Sequence, residues 1–565
     1  MEIMNRFFYV FIFFIGFNTI NAQVESKSLG LITEKAMVVS ARNEASKIGA
    51  EIMKQGGNAF DAMIATELVL AVSYPQAGNI GGGGFMVFRK ANGEVGSLDY
   101  REKAPINATE DMYLDAGGNV IDGKSTSTAF SIGIPGTIAG MFAVHDRFGS
   151  LPMHELLEPI IELAEKGVVV TEKDEKNLAA YQHDFIKRNG ENSLFSKTYK
   201  KGDRIIYSAL AETLKRIAIN GRSEFYNGET GKKLVEYIKE KGGIISMNDL
   251  EKYEAKWREP IRFKYNELQI ISMAPPSSGG ITLGQIMKMI APFSISEMGH
   301  NSVETIQIIT EAERRAYADR NYFLGDPDFV EIPISKLLDD DYLRIRMSTF
   351  SNNKATLSSD IAPGSIKIKE STQTTHYSIV DSFGNAVSVT TTLNDNYGSK
   401  YYCDTLGFFL NNQMDDFSAK AGVPNLYGLI GGKANSIAPE KRMLSSMTPS
   451  IVEKNGNLFM VLGTPGGSTI ITSVLQTILN VYDFKMGMQE AVNAPRFHHQ
   501  WIPDVITFEP NGFSSSTLKK LKEKGYIISE KNNTIIGKVD AILKMTDGKL
   551  EAGADKRGDD AADGY

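Results

Sequence analysis

At 565 residues the chain is long enough to bury a large core, and length alone suggests about two to four domains. Composition is globular, 42% hydrophobic and 23% charged, and 61 basic against 68 acidic residues give a net charge of −7, which argues against nucleic acid as a general partner. The sole cysteine, Cys403, excludes an internal disulfide, so the fold does not rely on oxidative stapling.

In chain order, Arg6 precedes an unbroken apolar run over residues 7–17, and Asn21-Ala22 closes the stretch with a small residue. Such a run is shorter than the roughly 20 residues that span a bilayer. Residues 1–22 are therefore expected to be a secretory signal cut after Ala22, an uncut anchor being the other reading. The segment has no cysteine, which excludes a lipid-anchored lipoprotein.

Residues 43–54 carry Ala45, Ile48 and Ile52 at helical spacing and stop at Gly56-Gly57. Asn58 is placed to cap a second, mostly apolar helix running to Val72. Gly81 to Gly84 lead into a hairpin whose strands, residues 85–89 and 95–100, meet at Asn92-Gly93. These glycines precede a strand and lack a GK[ST] ending, so they are not a phosphate loop. Arg101 follows at the strand end; by itself it reads as a surface ion-pairing arginine.

Residues 137–260 read as helix and loop without evident chemistry. Pro275 to Gly280 form a loop feeding a helix from Ile281, and residues 302–320 form another helix with EAERRAYADR as its polar face. Residues 350–370 are polar and weakly patterned, which marks a mobile segment.

Residues 373–393, QTTHYSIVDSFGNAVSVTTTL, contain two β-branched runs around the turn formers Asp381 to Asn385. That is a hairpin signature. A five-residue loop sets Val380 opposite Ala386 and Thr374 opposite Thr392; a four-residue loop would bring Thr391 there instead. Read alone, these are ordinary strand threonines paired across a ladder.

Further motifs follow: NNQMDDFSAKAGVPNLYGLIGG, KRMLSSMTPSIV, GTPGGSTIITSVLQ and NAPRFHHQW, with DYREKAP, GGGGFMVF, PPSSGG and GDDAADGY elsewhere. Together with QTTHYSIVD they resemble the bacterial gamma-glutamyltransferase (gamma-glutamyltranspeptidase, glutathione hydrolase) family over nearly all of the chain after residue 23. The resemblance implies an α+β fold, a four-layer αββα sandwich of the N-terminal nucleophile hydrolase type. It also implies self-cleavage between Gln373 and Thr374 into a large segment, 23–373, and a small one, 374–565.

An unmodified threonine hydroxyl needs an adjacent base, and a free α-amino group with a reference pKa of about 7.7 to 8.0 supplies one on the same residue. By resemblance, Thr374 is that nucleophile and Thr392 hydrogen-bonds it. Gly466 and Gly467, between a strand over residues 458–462 and a helix over residues 470–481, match the oxyanion glycines. Arg101, with Ser445 and Ser446, matches the site for the glutamyl α-carboxylate, where a guanidinium fork suits the anion. Asp416, with Gln413 and Asn394, matches the site for the α-amino group, so that Arg and Asp sit at opposite ends of the zwitterion. Tyr427 matches the gate of a lid loop.

The resemblance implies γ-glutamyl amides such as glutathione as substrates and water, amino acids or dipeptides as acceptors. The expected location is the periplasm. His498-His499 lack a Cys/His or HExxH context and read as structural, as does His376; nothing around Cys403 resembles a Cys-His signature. No metal or organic cofactor is implied. Two other readings stay open: a related acylase acting on glutaryl or cephalosporin-type amides, and a non-catalytic exported binding protein on the same scaffold.

Overall fold

The structure, a computed structural model, describes residues 29–362, 374–420, 432–531 and 534–565. The expected leader, residues 363–373 with Gln373, and Tyr427 lie outside the described residues.

Fourteen strands build two fully antiparallel seven-stranded sheets. In chain order they are β1 (Ile32–Thr33), β2 (Met37–Ser40), β3 (Gly83–Arg89), β4 (Val95–Tyr100), β5 (Lys256–Arg258), β6 (Ile261–Tyr265) and β7 (Leu268–Ser272). They continue with β8 (Thr375–Val380), β9 (Ala386–Thr392), β10 (Ser450–Lys454), β11 (Asn457–Gly463), β12 (Asp540–Lys544), β13 (Leu550–Gly553) and β14 (Ala561–Gly564). One sheet runs β14-β2-β8-β9-β3-β4-β5, the other β1-β13-β12-β11-β10-β7-β6. Each mixes strands from before and after Thr374.

Side-chain alternation sorts each strand between two layers. From β8 and β9, Tyr377, Ile379, Val387 and Val389 pack outward with α1 (Asn43–Lys54) and α2 (Ala59–Ser73). Val380 and Ala386 face inward, where Met37, Val39, Phe85 and Val87 meet Ile271, Ile451, Val461 and Ile542 of the other sheet. That sheet's far face is covered by α3 (Gly279–Ile290), α4 (Val303–Phe323) and α5 (Thr469–Tyr482). The order is helix, sheet, sheet, helix. Polar contacts tie the sheets where Ser378 Oγ donates to the Asp540 carbonyl and Ser388 Oγ to the Leu462 carbonyl, each at 3.0 Å.

The local reasons are those read from the sequence. Asn58 closes a capping box with Asp61 at the start of α2. Gly93, at φ 87°, turns β3 into β4. Asp381 Oδ1 accepts the Phe383 and Asn385 N–H groups inside the five-residue loop between β8 and β9.

Three expectations are corrected. Residues 137–260 are not only helix and loop, since β5 joins the edge of one sheet and short strands Val168–Val169 and Arg204–Ile205 pair with each other. EAERRAYADR is not a solvated polar face: Glu311, Glu313, Arg314, Arg315, Asp319 and Arg320 are all buried. Residues 350–362 are not simply loose, because Ser358 and Ile361 are buried and Ser358 N–H donates to Asp504 at 2.7 Å.

Candidate active site

Val380 pairs with Ala386 and Thr375 with Thr391, so one step further along the ladder Thr374 faces Thr392. Even-numbered side chains of both strands point between the sheets, which puts these two threonines on one face. The Asn394 N–H donates to Thr392 Oγ1 at 2.8 Å, so the Thr392 oxygen accepts there and keeps its own proton to give. Asn394 holds φ at 78°, a left-handed conformation that asparagine tolerates, as it turns the chain away.

A cavity opens at this point. Thr374, Thr392, Asn394, Arg101, Gln413, Asp416, Ser445, Ser446 and Gly467 line it. Gly466 lies one residue further back, on a neighbouring cavity with Lys538 and Arg557. Both glycines have positive φ, 139° and 55°, where β11 gives way to α5. A methyl group on Gly466 would lie 2.5 Å from Thr469 Oγ1, so the turn admits only glycine.

Arg101 and Asp416 are not at opposite ends of the cavity. Arg101 Nη2 hydrogen-bonds Asp416 Oδ2 directly, and Gln413 Nε2 donates to the same oxygen at 3.1 Å. Arg101 Nη1 has no hydrogen-bond partner among the described residues. Beside it, Glu102 is wholly buried; its Oε2 lies 3.5 Å from Arg101 Nη1, and neither oxygen has a hydrogen-bond partner among the described residues. Burial pushes the Glu102 carboxyl up to about 8, against the pull of Arg101. Burial also raises Asp416, opposed by the Arg101 guanidinium.

Ser445 and Ser446 arrive on an extended stretch whose Ser445 N–H donates to the Pro276 carbonyl at 2.9 Å. The Met447 N–H donates to Ser445 Oγ at 3.1 Å, and Arg320 Nη2 donates to Ser446 Oγ at 3.0 Å. Both hydroxyl oxygens are therefore acceptors to fixed donors. The stretch around Tyr427 lies outside the described residues, but Ser418 and Ser436 on either side of it form a bridge, and Ser418 lines the cavity.

Residues 45–565 match the family model described as Gamma-glutamyltranspeptidase. The chain belongs to the gamma-glutamyltranspeptidase family. It is 45% identical over 538 residues, 94% of this chain and 92% of the relative, to the glutathione hydrolase proenzyme of Escherichia coli (strain K12). The solved Helicobacter pylori gamma-glutamyltranspeptidase is 39% identical with a TM-score of 0.57, covering 61% of this chain and 98% of that one. The cephalosporin acylase from Bacillus halodurans has the same fold, with a TM-score of 0.84 at 22% identity over 98% of this chain and 99% of that one.

Two wall residues of this family member escaped the motif reading. Asn435 donates to the Asp416 carbonyl at 2.7 Å and accepts the Leu444 N–H at 2.9 Å, clamping the Asp416 and Ser445 segments together. Arg320, on α4, lines the cavity with only 3% of its surface exposed. The signal was present: the six charges of EAERRAYADR sit at spacings that cover every side of a helix, so some had to be buried. The histidines are structural in their contacts. His498 Nδ1 hydrogen-bonds Thr472 Oγ1 at 2.9 Å, His499 Nε2 meets Asp504 at 3.2 Å, and His376 bonds Thr390 and Ser378.

Proposed function

We propose that Thr374 is the nucleophile of a γ-glutamyl acyl transfer and that Gly466, Gly467, Arg101, Asp416, Ser445 and Ser446 position the acyl group. The enzyme cleaves γ-glutamyl amides, as membership of the family and identity above 40% to glutathione hydrolases require. The observation that carries the residue roles is the cavity itself, with two facing threonines at one wall and an Arg-Asp pair and two serines at another.

Thr374 Oγ attacks the γ-carbonyl while its own α-amine takes the hydroxyl proton. The oxyanion forms against the glycine turn, the amine leaves with that proton, and a γ-glutamyl ester remains. Water or an amino acid or dipeptide then accepts the acyl group. Thr392 hydrogen-bonds the nucleophile. Arg101 Nη1 and the two serine hydroxyls receive the α-carboxylate; Asp416, with Gln413 and Asn394, receives the α-ammonium. Because both groups sit on one carbon, the adjacency of Arg101 and Asp416 suits a zwitterion better than separation would.

The α-amine exists only after the Gln373–Thr374 bond is cut. In the precursor, Thr374 Oγ attacks the Gln373 carbonyl, the peptide shifts to an ester, and water hydrolyses it. The name proenzyme carried by the Escherichia coli relative supports such processing. The apolar run at residues 7–17 supports export to the periplasm by a cleaved leader. No helix among the described residues is long and apolar enough to cross a membrane.

An acylase acting on glutaryl amides would share Thr374 and the glycines but has no use for Asp416, which selects an amino group. Intact mass under denaturing conditions, N-terminal sequencing, and rates on γ-glutamyl and glutaryl anilides test the proposal. Two chains, one beginning Thr-Thr-His-Tyr-Ser, with turnover of the γ-glutamyl compound are expected. A single chain, or preference for the glutaryl compound, overturns it.

A further inference from the structure

Arg320 is a buried cation with no ion pair among the described residues. Its three nitrogens are each satisfied by a neutral oxygen: Nε by Ser278 Oγ at 3.0 Å, Nη1 by Asn321 Oδ1 at 2.9 Å, and Nη2 by Ser446 Oγ at 3.0 Å. Burial pulls its pKa down to about 10, while Tyr317 and Asp416 act the other way, so it stays charged at neutral pH. A buried charge without a countercharge is costly, and structural arginines elsewhere on α4 are built differently: Arg314 and Arg315 pair with Asp504 and Glu311.

The hydrogen-bond polarity around it has one direction. Ser446 Oγ accepts from Arg320, and its own proton has no acceptor among the described residues. Ser278 Oγ accepts from Arg320 and donates to the Ser445 carbonyl at 2.7 Å, which holds the neighbouring residue in place. One guanidinium thus orients two serines as donors and adds positive charge behind them. Arg101 pairs directly with Asp416, whereas Arg320, on the same cavity wall, has no direct ion pair among the described residues.

We infer that Arg320 is a positioning and specificity residue for the substrate's α-carboxylate, turning the Ser446 hydroxyl toward it and supplying the countercharge from behind. This rests on the γ-glutamyl reading above. The carboxylate completes a site whose donors and charge are preset, so binding requires little reorganisation.

The test compares processed wild type with Arg320→Met on γ-glutamyl p-nitroanilide and on its 4-aminobutanoyl counterpart, which lacks the α-carboxylate. For the glutamyl compound, kcat/KM should fall by about 30-fold, mainly through KM, while the aminobutanoyl compound changes by less than about threefold. Arg320→Lys, which keeps the charge, should recover part of the loss. If Arg320→Met does not mature, Ser278→Ala, which frees Nε, should lower the ratio of the two kcat/KM values in the same direction. An equal loss on both compounds in either variant overturns the inference. Failure of wild type itself on the glutamyl compound would instead remove the functional reading beneath it.

Discussion

The His376 imidazole packs on the backbone of Gly463, so closely that a methyl group there would lie 2.4 Å from Cε1. His376 is two residues beyond Thr374, and Gly463 is three before Gly466. The contact therefore locks the strand that follows Thr374 in one sheet to the strand of the other sheet that leads into the glycine turn. Gly463→Ala has nowhere to put its methyl group without moving the ring or the strand. It should cost about 1–3 kcal/mol in stability and slow both maturation and turnover, read from urea midpoints and the fraction of two-chain protein. A variant of normal stability and rate would mean that this contact does not set the geometry.

The same ring yields a pH dependence. Burial pushes His376 down to about 3, and its neighbours within hydrogen-bonding range are the hydroxyls of Thr390 and Ser378, not carboxylates. An unfolded histidine takes up its proton near pH 6.5, so the folded state gains nothing from protonation until far lower. Its contribution is whole above pH 6.5 and is lost as pH falls from there toward 3, at up to about 1.4 kcal/mol per pH unit. Between pH 7 and 5, the urea midpoint of wild type should fall more than that of His376→Asn. Parallel declines would show that the histidine is not held neutral.

Thr374→Ala removes the oxygen for both proposed attacks. One uncut chain with no turnover is expected on denaturing gels and by mass. Cleavage persisting at the same bond in this variant would refute self-processing.

Asp416→Ala should retain the cut between Gln373 and Thr374 but lose γ-glutamyl turnover by about a hundredfold or more, since a charged group is left without its partner on both Arg101 and the substrate. Asp416→Asn, which keeps the hydrogen bond to Arg101, should be the more stable of the two while remaining slow. Unchanged turnover in both would take Asp416 out of the site.

Both sheets combine strands from before and after Thr374; β2 lies between β14 and β8, and β1 pairs with β13. Cutting the chain leaves those ladders and the core between the sheets intact. The cut protein should therefore run as one particle in native size-exclusion chromatography and separate into two only in denaturant. Separation under native conditions would contradict this interlocking.

The sequence by itself determined the local pieces. Asn58, Gly93 and the Asp381 to Asn385 turn act through neighbours a few residues away, so their turns and caps were legible, while the choice between Thr391 and Thr392 opposite Thr374 waited on the observed ladder. Motif order was enough to point to the family. Only the tertiary structure decided how distant segments meet. It joined Arg101 to Asp416, 315 positions apart, and laid His376 on Gly463. It also buried the charges of α4 and brought Arg320 behind Ser446. Those relationships depend on which faces two sheets and a buried helix present to one another, and a hydrophobic pattern read along one segment carries no record of the partner it will pack against.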